Sequence, residues 1–355
     1  MKRIAVATLL VLFGAMTLFP FSVVQAQRPL EGTTVRVATW GGSWRDSLQT
    51  LIGTKLEAMG AKVEYVIGNP LENFAKLVAA RGREAPFDVM EVGPEILFTM
   101  IREGFLQKIN TAGVPHSKGL PAFAMGDFYL MTSAAQDGIA YNEKKFKELG
   151  LPKPERYSDL TNPKLEGHVA FPDVAVTMHW SAVVGLAHDV GGTEATAEKA
   201  LEQVKKIKPL YYYPSSTDLV TKFNLGDVWA APFHAGWVVR VKRTGFPLAH
   251  AHPRVGNKYG VLNPIYVVIP KTAKNVPGAE AFVNFYLDPE VQFQFAKKVG
   301  IAAINPAARD RLRKDPEVGP ILLLTDEEMN NMHITDWTKL SADEWREKWN
   351  RFVGR

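Results

Sequence analysis

The sequence predicts an α/β protein built from two lobes with a cleft between them. Strand-like and helix-like stretches alternate along the chain, an order typical of sheets flanked by crossover helices. About 330 residues remain after a predicted leader, more than one hydrophobic core usually holds, so two lobes are expected. Apolar strands near residues 140 and 265 enclose an inserted αβ region. The chain would therefore cross between the lobes twice, and such a paired connection forms a hinge.

The N-terminus has the features of a secretory signal peptide. Two basic residues precede an uncharged run over residues 4–24, and the small residues Val24 and Ala26 stand where a signal peptidase reads. We therefore predict a signal peptide over residues 1–26. A permanent membrane anchor is the alternative, because the run is long enough to span a bilayer. Pro20 and the lack of a basic cluster after the run favour cleavage. The chain has no cysteine, hence neither a lipid-anchoring thiol nor disulfides, which suits a Gram-negative periplasm.

The first lobe is predicted to begin with a strand over residues 34–39, where apolar and polar residues alternate, followed by a turn at Gly41 and Gly42. Apolar residues at helical spacing predict helices, and short apolar runs predict strands. In order, the next predicted elements are a helix over 43–59, a strand over 62–67, a helix over 73–81, a strand over 87–92 and a helix over 94–104.

The same patterns predict the rest of the chain. The predicted strands are 138–141, 167–171, 210–213, 229–232 and 260–270, the helices are 178–188, 195–206, 279–287 and 289–298, and a Pro-rich surface stretch covers 151–163. The tail, residues 342–353, is predicted to be an amphipathic helix because Trp345, Trp349 and Phe352 recur on one face.

Composition and motifs narrow the classes of function. The basic residues are scattered among acidic ones and form no stripe with interleaved aromatics, so we predict no nucleic-acid partner. The chain lacks a serine-hydrolase elbow, a P-loop, a zinc-protease helix and any cysteine nucleophile, so we do not expect an enzyme. A secreted hydrolase remains the alternative from a different class.

Six segments in order carry a resemblance to a known family. They are DVMEVGPEILFTMIREGFLQKIN at 88–110, DGIAYN at 137–142, PKLEGHVAF at 163–171, GDVWAAP at 226–232, VIPKTAKN at 268–275, and 281–306, which ends in GIAAINP. Together they make the mature chain resemble the extracellular solute-binding proteins of ABC importers, in the branch that holds spermidine/putrescine-binding proteins.

The resemblance implies a fold and a function. The implied fold is the two-lobe periplasmic-binding-protein fold of type II, with mixed sheets flanked by helices and two hinge crossings. Residues 27–140 and 265–320 would form lobe 1, residues 141–264 lobe 2, and residues 321–355 a C-terminal helical segment packed on the lobes. The implied function is a monomeric periplasmic protein that captures a small organic solute and delivers it to an ABC permease with its ATPase.

Candidate solute contacts follow from where each strand ends, because loops at the carboxyl ends of strands converge on the crevice of such sheets. Tryptophans and tyrosines there would supply flat apolar and cation–π contact, and carboxylates would hold an amine. The predicted contacts are Trp40, Gly41, Gly42, Trp44, Glu91, Asp173, Thr177, Ser216, His234, Trp237, Asn263 and Tyr266.

The chemistry of the solute is left open between two classes. An amine or polyamine-like cation is favoured by Glu91 and Asp173 together with the aromatic residues. The alternative is an aromatic or carboxylated anion, held by the backbone amides of the glycine loop, His234 and Arg240. Pro264 and Ile265 stand where the polyamine-binding branch usually carries an acid, a departure from that branch.

Two patterns resemble weak metal sites. Adjacent tyrosines at 211–213 resemble those that ferric-binding relatives use, but neighbours in a strand point to opposite faces. His250 and His252 have no matching acid nearby in the sequence. We therefore predict no metal site and no cofactor.

Overall fold

A computed structural model describes residues 28–354 of the chain. The predicted signal peptide lies outside the described residues. Within the described part, none of the helices combines the length and the apolar character that a bilayer-spanning helix requires.

Strands are distributed along the whole described chain. They are β1 Thr34–Thr39, β2 Lys62–Ile67, β3 Val89–Val92, β4 Met125–Gly126, β5 Tyr129–Asn142, β6 Ala170–Pro172, β7 Tyr211–Tyr213, β8 Ala230–His234, β9 Leu248–Ala251, β10 Arg254–Val255, β11 Lys258–Tyr259, β12 Val261–Val268 and β13 Ala302–Ala303.

Helices alternate with these strands, as the sequence predicts. They are α1 Ser43–Leu48, α2 Thr54–Ala58, α3 Pro70–Ala79, α4 Pro94–Arg102, α5 Glu143–Glu148, α6 Met178–Asp189, α7 Lys199–Ile207, α8 Ser216–Leu225, α9 Ala235–Lys242, α10 Val276–Tyr286, α11 Pro289–Val299, α12 Pro306–Arg313, α13 Asp326–Asn330 and α14 Ala342–Phe352. A π-helical turn, Gln49–Gly53, joins α1 to α2 where one continuous helix is predicted.

One mixed sheet connects the two lobes. Its strand order is β13-β5-β12-β3-β1-β2, and β4, β8 and β9 also pair with β5. Strand β1 runs parallel to β2 and β3, whereas β12 is antiparallel to both β3 and β5. The first half of β5 pairs with β12 and its second half with β8 and β9, so β5 belongs to both lobes. Strands β5 and β12 are the two crossings within this sheet, and the chain passes between the two sides once more between Met332 and Trp345.

The structure corrects several predicted elements. The short strand predicted at 138–141 is the end of the 14-residue strand β5. Helices α8 and α9 and strand β9 were not predicted, although Ser215 and Gly226 at the two ends of α8 are usable helix-capping signals. The stretch predicted as a surface loop at 151–163 has Tyr157 and Leu160 fully buried. Tyr157 packs there because Gly185 on α6 has no side chain to collide with its ring.

Separate hydrophobic cores lie on the two sides of the crossings. One large cluster contains residues from Leu30 to Ala134 and from Leu262 to Met332, together with two residues of α9. Two further clusters contain residues from Ile139 to Val261. Trp345 and Trp349 of α14 are buried in one of these two. The lobe limits predicted from the sequence stay a prediction.

Candidate functional site

A cleft of about 560 Å³ lies where the two lobes face each other. Its volume is in the range of sites that enclose a small organic molecule. Nine of the twelve predicted contact residues line it, namely Trp40, Gly41, Gly42, Trp44, Thr177, Ser216, His234, Trp237 and Asn263. The other three, Glu91, Asp173 and Tyr266, lie outside it.

The loop after β1 forms an aromatic wall of the cleft. Trp40 and Trp44 meet edge to face with ring centroids 5.2 Å apart, and Trp44 meets Phe295 in the same way at 4.8 Å. Gly42 precedes α1 with φ +63° and ψ −144°, a conformation that residues with a side chain rarely adopt. The glycine thus lets the chain turn sharply enough to bring both tryptophans to one side.

Glu91 lies beneath this wall and does not face the solute space, contrary to the sequence prediction. It is 1% exposed. Its carboxyl accepts hydrogen bonds from the hydroxyl of Thr39, from Nε1 of Trp44 at 2.8 Å and from the hydroxyl of Tyr286 at 2.9 Å. Burial raises the pKa of Glu91 to about 7, although these three donors oppose the shift. Glu91 therefore orients Trp44 from below.

Asp173 and Tyr266 are also turned away from the cleft. Asp173 is buried, and its Oδ1 accepts the backbone N–H of Ala175 at 3.3 Å in the turn before α6. Tyr266 does not line the cleft although the three residues before it do, and the pairing register of β12 with β5 shifts between Ile265 and Tyr266. Its ring instead packs edge to face on Tyr129 at 4.8 Å.

A buried carboxylate on the crossing strand organises the lobe 2 side of the cleft. Asp137 of β5 is 1% exposed and accepts hydrogen bonds from Nδ1 of His234, from the amide of Asn263, and from Oγ of Ser181 at 2.5 Å. Since Nδ1 is held by Asp137, His234 has only Nε2 left for a solute. Asp137 thereby links the hinge to two of the predicted contact residues.

The cleft also contains one charged group from each lobe. Arg240 of α9 lies over the ring of Trp237 with its guanidinium carbon 3.8 Å from the ring centroid, and it donates to Oγ of Ser43 at 3.3 Å. No carboxylate in the described part of the chain forms an ion pair with Arg240. Burial lowers its pKa to about 10, so it stays positive at neutral pH.

Glu95, at the start of α4, faces the same space from lobe 1. Burial raises the pKa of Glu95. Its side chain folds back over Gly93. Arg346 attracts the carboxyl electrostatically but forms no ion pair with it among residues 28–354. The cleft thus contains both a carboxyl and a guanidinium group.

Sequence reasoning missed Asp137, Ser181 and Trp337 as site residues. A charged residue inside the apolar strand segment DGIAYN is a usable signal for Asp137, because a buried carboxylate requires partners. No sequence pattern points to Trp337, which reaches the cleft from the C-terminal segment and packs edge to face on Trp180 at 5.4 Å. Its indole N–H has no hydrogen-bond partner among the described residues.

In both metal-like sequence patterns, side chains lie next to backbone carbonyl groups of the protein. The hydroxyl of Tyr213 donates to the carbonyl of Pro232 at 2.7 Å. His250 and His252 are largely buried, and each places Nε2 near a backbone carbonyl, that of Phe233 at 3.2 Å and that of Ile321 at 2.9 Å.

Comparison with known proteins agrees with this architecture. Residues 55–320 match the family described as bacterial extracellular solute-binding protein. The chain is 24% identical over 271 residues to spermidine/putrescine-binding periplasmic protein 1 of Haemophilus influenzae, covering 74% of this chain and 73% of that protein. It is 26% identical over 293 residues to the putrescine-binding periplasmic protein SpuD of Pseudomonas aeruginosa, covering 74% and 77%.

The fold is likewise shared with solved structures. An ABC transporter substrate-binding protein from Bradyrhizobium japonicum superposes with a TM-score of 0.74 at 18% identity, over 90% of this chain and 99% of that one. The family match covers most of the chain, and the neighbour has the same two-lobed fold. The chain therefore belongs to the bacterial extracellular solute-binding proteins.

Proposed function

We propose that this protein is the periplasmic substrate-binding component of an ABC importer and captures a small organic solute in the cleft between its lobes. One observation carries the proposal: aromatic and polar side chains from both lobes meet in one cleft, and strands β5 and β12 of the shared sheet cross between the lobes beside it. A solute there contacts both halves of the molecule at once.

Capture would follow a two-state hinge mechanism. Contacts that involve both lobes exist only in the closed form, so a solute shifts the population toward closure by its difference in affinity for the two forms. The hydrogen bond between Arg240 and Ser43 is one such interlobe contact. The closed, solute-loaded monomer would then dock on a permease with its ATPase, and no catalytic step is assigned to the cleft.

An ammonium group is the first candidate for recognition. Glu95 supplies a carboxyl that forms no ion pair among the described residues, and Trp40, Trp44 and Trp337 supply aromatic faces. Carboxylates and aromatic faces are the groups that bind amines. Relatives named for spermidine and putrescine binding support this choice.

A carboxylated or aromatic anion is the second candidate, and Arg240 favours it. Its guanidinium is stacked on Trp237, partly desolvated and without a carboxylate partner within residues 28–354. A buried cation gains most from a bidentate anion. A solute that carries both an amine and a carboxylate would use Glu95 and Arg240 together.

Calorimetry with a panel of diamines, amino acids and aromatic acids tests both candidates. Loss of one charged contact is worth about 2 kcal/mol, which corresponds to a roughly 30-fold weaker affinity. Glu95→Gln should cause this loss for an amine, Arg240→Gln for an anion, and each of the two for a solute with both charges. The exposed Glu31→Gln, which does not line the cleft, is the matched control.

Small-angle scattering supplies the second measurement. A bound solute should reduce the radius of gyration, because the lobes close. If no compound in the panel binds, or if scattering stays the same when one does, the capture mechanism is wrong. Turnover of ester or glycoside substrates by the purified protein would favour the hydrolase alternative.

A further inference from the structure

We propose that the protein has a metal site, separate from the cleft, formed by His188, Glu194 and His333 and suited to Zn²⁺. The three side chains come from separate segments: the last turn of α6, the short helical turn after it, and the C-terminal segment. Each offers one ligand atom, and these atoms lie within 4.8 Å of one another. The proposal stands independently of the identity of the solute.

The geometry of the cluster points to a shared ion and not to a simple ion pair. Nε2 of His333 lies 2.7 Å from one oxygen of Glu194, and Nε2 of His188 lies 3.5 Å from the other. The two rings meet at an angle of 67° with centroids 5.1 Å apart, so both nitrogens are directed at the same carboxylate. Ligands about 2.0–2.2 Å from a tetrahedral metal lie about 3.3–3.6 Å apart. Ligand atoms that are 4.8 Å apart would have to approach by about 1.2–1.5 Å, a shift shared between two side chains.

His188 supplies a second, independent observation. Its Nε2 is buried and has no hydrogen-bond partner within the described part of the chain. An orphaned buried nitrogen costs free energy. A metal ion between His188 and Glu194 would remove this cost.

The donor set indicates the class of metal. Two imidazoles and a carboxylate form the ligand set that Zn²⁺ prefers, whereas Ca²⁺ and Mg²⁺ bind oxygen ligands.

The position of His333 gives the site a structural consequence. Its backbone pairs with the start of the crossing strand β12, donating to the carbonyl of Gly260 at 3.1 Å and accepting from the N–H of Leu262 at 2.8 Å. Trp337, four residues further on, lines the cleft. A metal ion would thus fasten the C-terminal segment to lobe 2 at the point from which this segment enters the cleft wall.

The test uses the mature protein after treatment with a chelator. Titration with ZnCl₂ in a calorimeter should give one ion per chain and raise the melting temperature by several degrees, and millimolar Ca²⁺ or Mg²⁺ should leave the melting temperature unchanged. His188→Ala and His333→Ala should each weaken zinc binding tenfold or more. Hydrogen exchange of residues 331–337 should slow when zinc is added.

Two further variants keep the test decisive. His116→Ala removes a histidine that also lies near a carboxylate, that of Asp288 at 3.7 Å, and should leave zinc binding unchanged. Glu194→Gln keeps the shape and a hydrogen-bond acceptor for His333, so it should fold in the absence of metal but lose zinc binding. Absence of saturable zinc binding in the wild type, or equal zinc affinity in all four variants, would overturn the proposal.

Discussion

The buried carboxyl Glu91 leads to a quantitative prediction for Glu91→Gln. The pKa of Glu91 is about 7 in the folded protein against an ordinary value of 4.5. A carboxyl with a raised folded pKa binds its proton more tightly in the folded state. Its contribution to stability is therefore most favourable below pH 4.5 and is lost as the pH rises through about 7.

The magnitude follows from the same two values. The interval between 4.5 and about 7 corresponds to about 3 kcal/mol, the cost of ionising a group that is 1% exposed. Glutamine carries no charge at any pH and still has an acceptor for Trp44. Between pH 4 and pH 8 the free energy of unfolding of Glu91→Gln should thus rise by about 2–3 kcal/mol relative to wild type.

The assay is urea unfolding of both proteins at several pH values, with solute affinity measured in parallel at pH 8. Affinity should change less than about threefold, because Glu91 supports Trp44 from below and has no surface in the cleft. Glu31→Gln, an exposed change, should show no such pH dependence. A stability difference that is constant with pH, or a tenfold loss of affinity, would refute the reasoning.

Three other substitutions test the cleft and the core. Trp40→Ala should weaken solute binding tenfold or more in calorimetry without unfolding the protein, since an aromatic contact is worth on the order of 1 kcal/mol or more; unchanged affinity would remove Trp40 from the site. Asp137→Asn should lower the free energy of unfolding by about 2 kcal/mol and also weaken solute binding, because three donors lose a buried anion; a loss of stability alone would assign Asp137 a purely structural role. Trp349→Ala should lower the free energy of unfolding in urea by about 3–5 kcal/mol, because the ring of Trp349 is fully buried against Phe171 and His179. If Trp337→Ala, at a more exposed position, lowered the free energy of unfolding by more, the described packing of Trp349 would be contradicted.

Much of the fold could be predicted because many of its strands and helices carry the spacing of apolar residues that is typical of their type. The alternation in β1 and the apolar spacing in α10, α11 and α14 were read from the sequence with small errors at their ends. Helices α8 and α9 were not, since their helical conformation depends on contacts from other segments. The length of β5 was also missed, because its pairing partners β12, β8 and β9 are more than 85 residues away.

The candidate site could likewise be predicted only in part from the sequence. Strand ends place loops at the cleft, and this rule together with the family resemblance led to the nine predicted residues that line it. The rule says nothing about which way a side chain points. Glu91 and Tyr266 therefore entered the prediction although one is enclosed by hydrogen-bond donors and the other packs on Tyr129.

The sequence by itself determined the fold class, the family resemblance and the aromatic loop after the first strand. Each of these depends on the order of residues along single elements of the chain. Only the tertiary structure decided that Asp137 holds His234, that Arg240 faces the cleft without an ion pair among the described residues, and that His188, Glu194 and His333 converge. The reason is physical: their partners are far apart in the chain, and long-range proximity depends on packing, which no local pattern encodes.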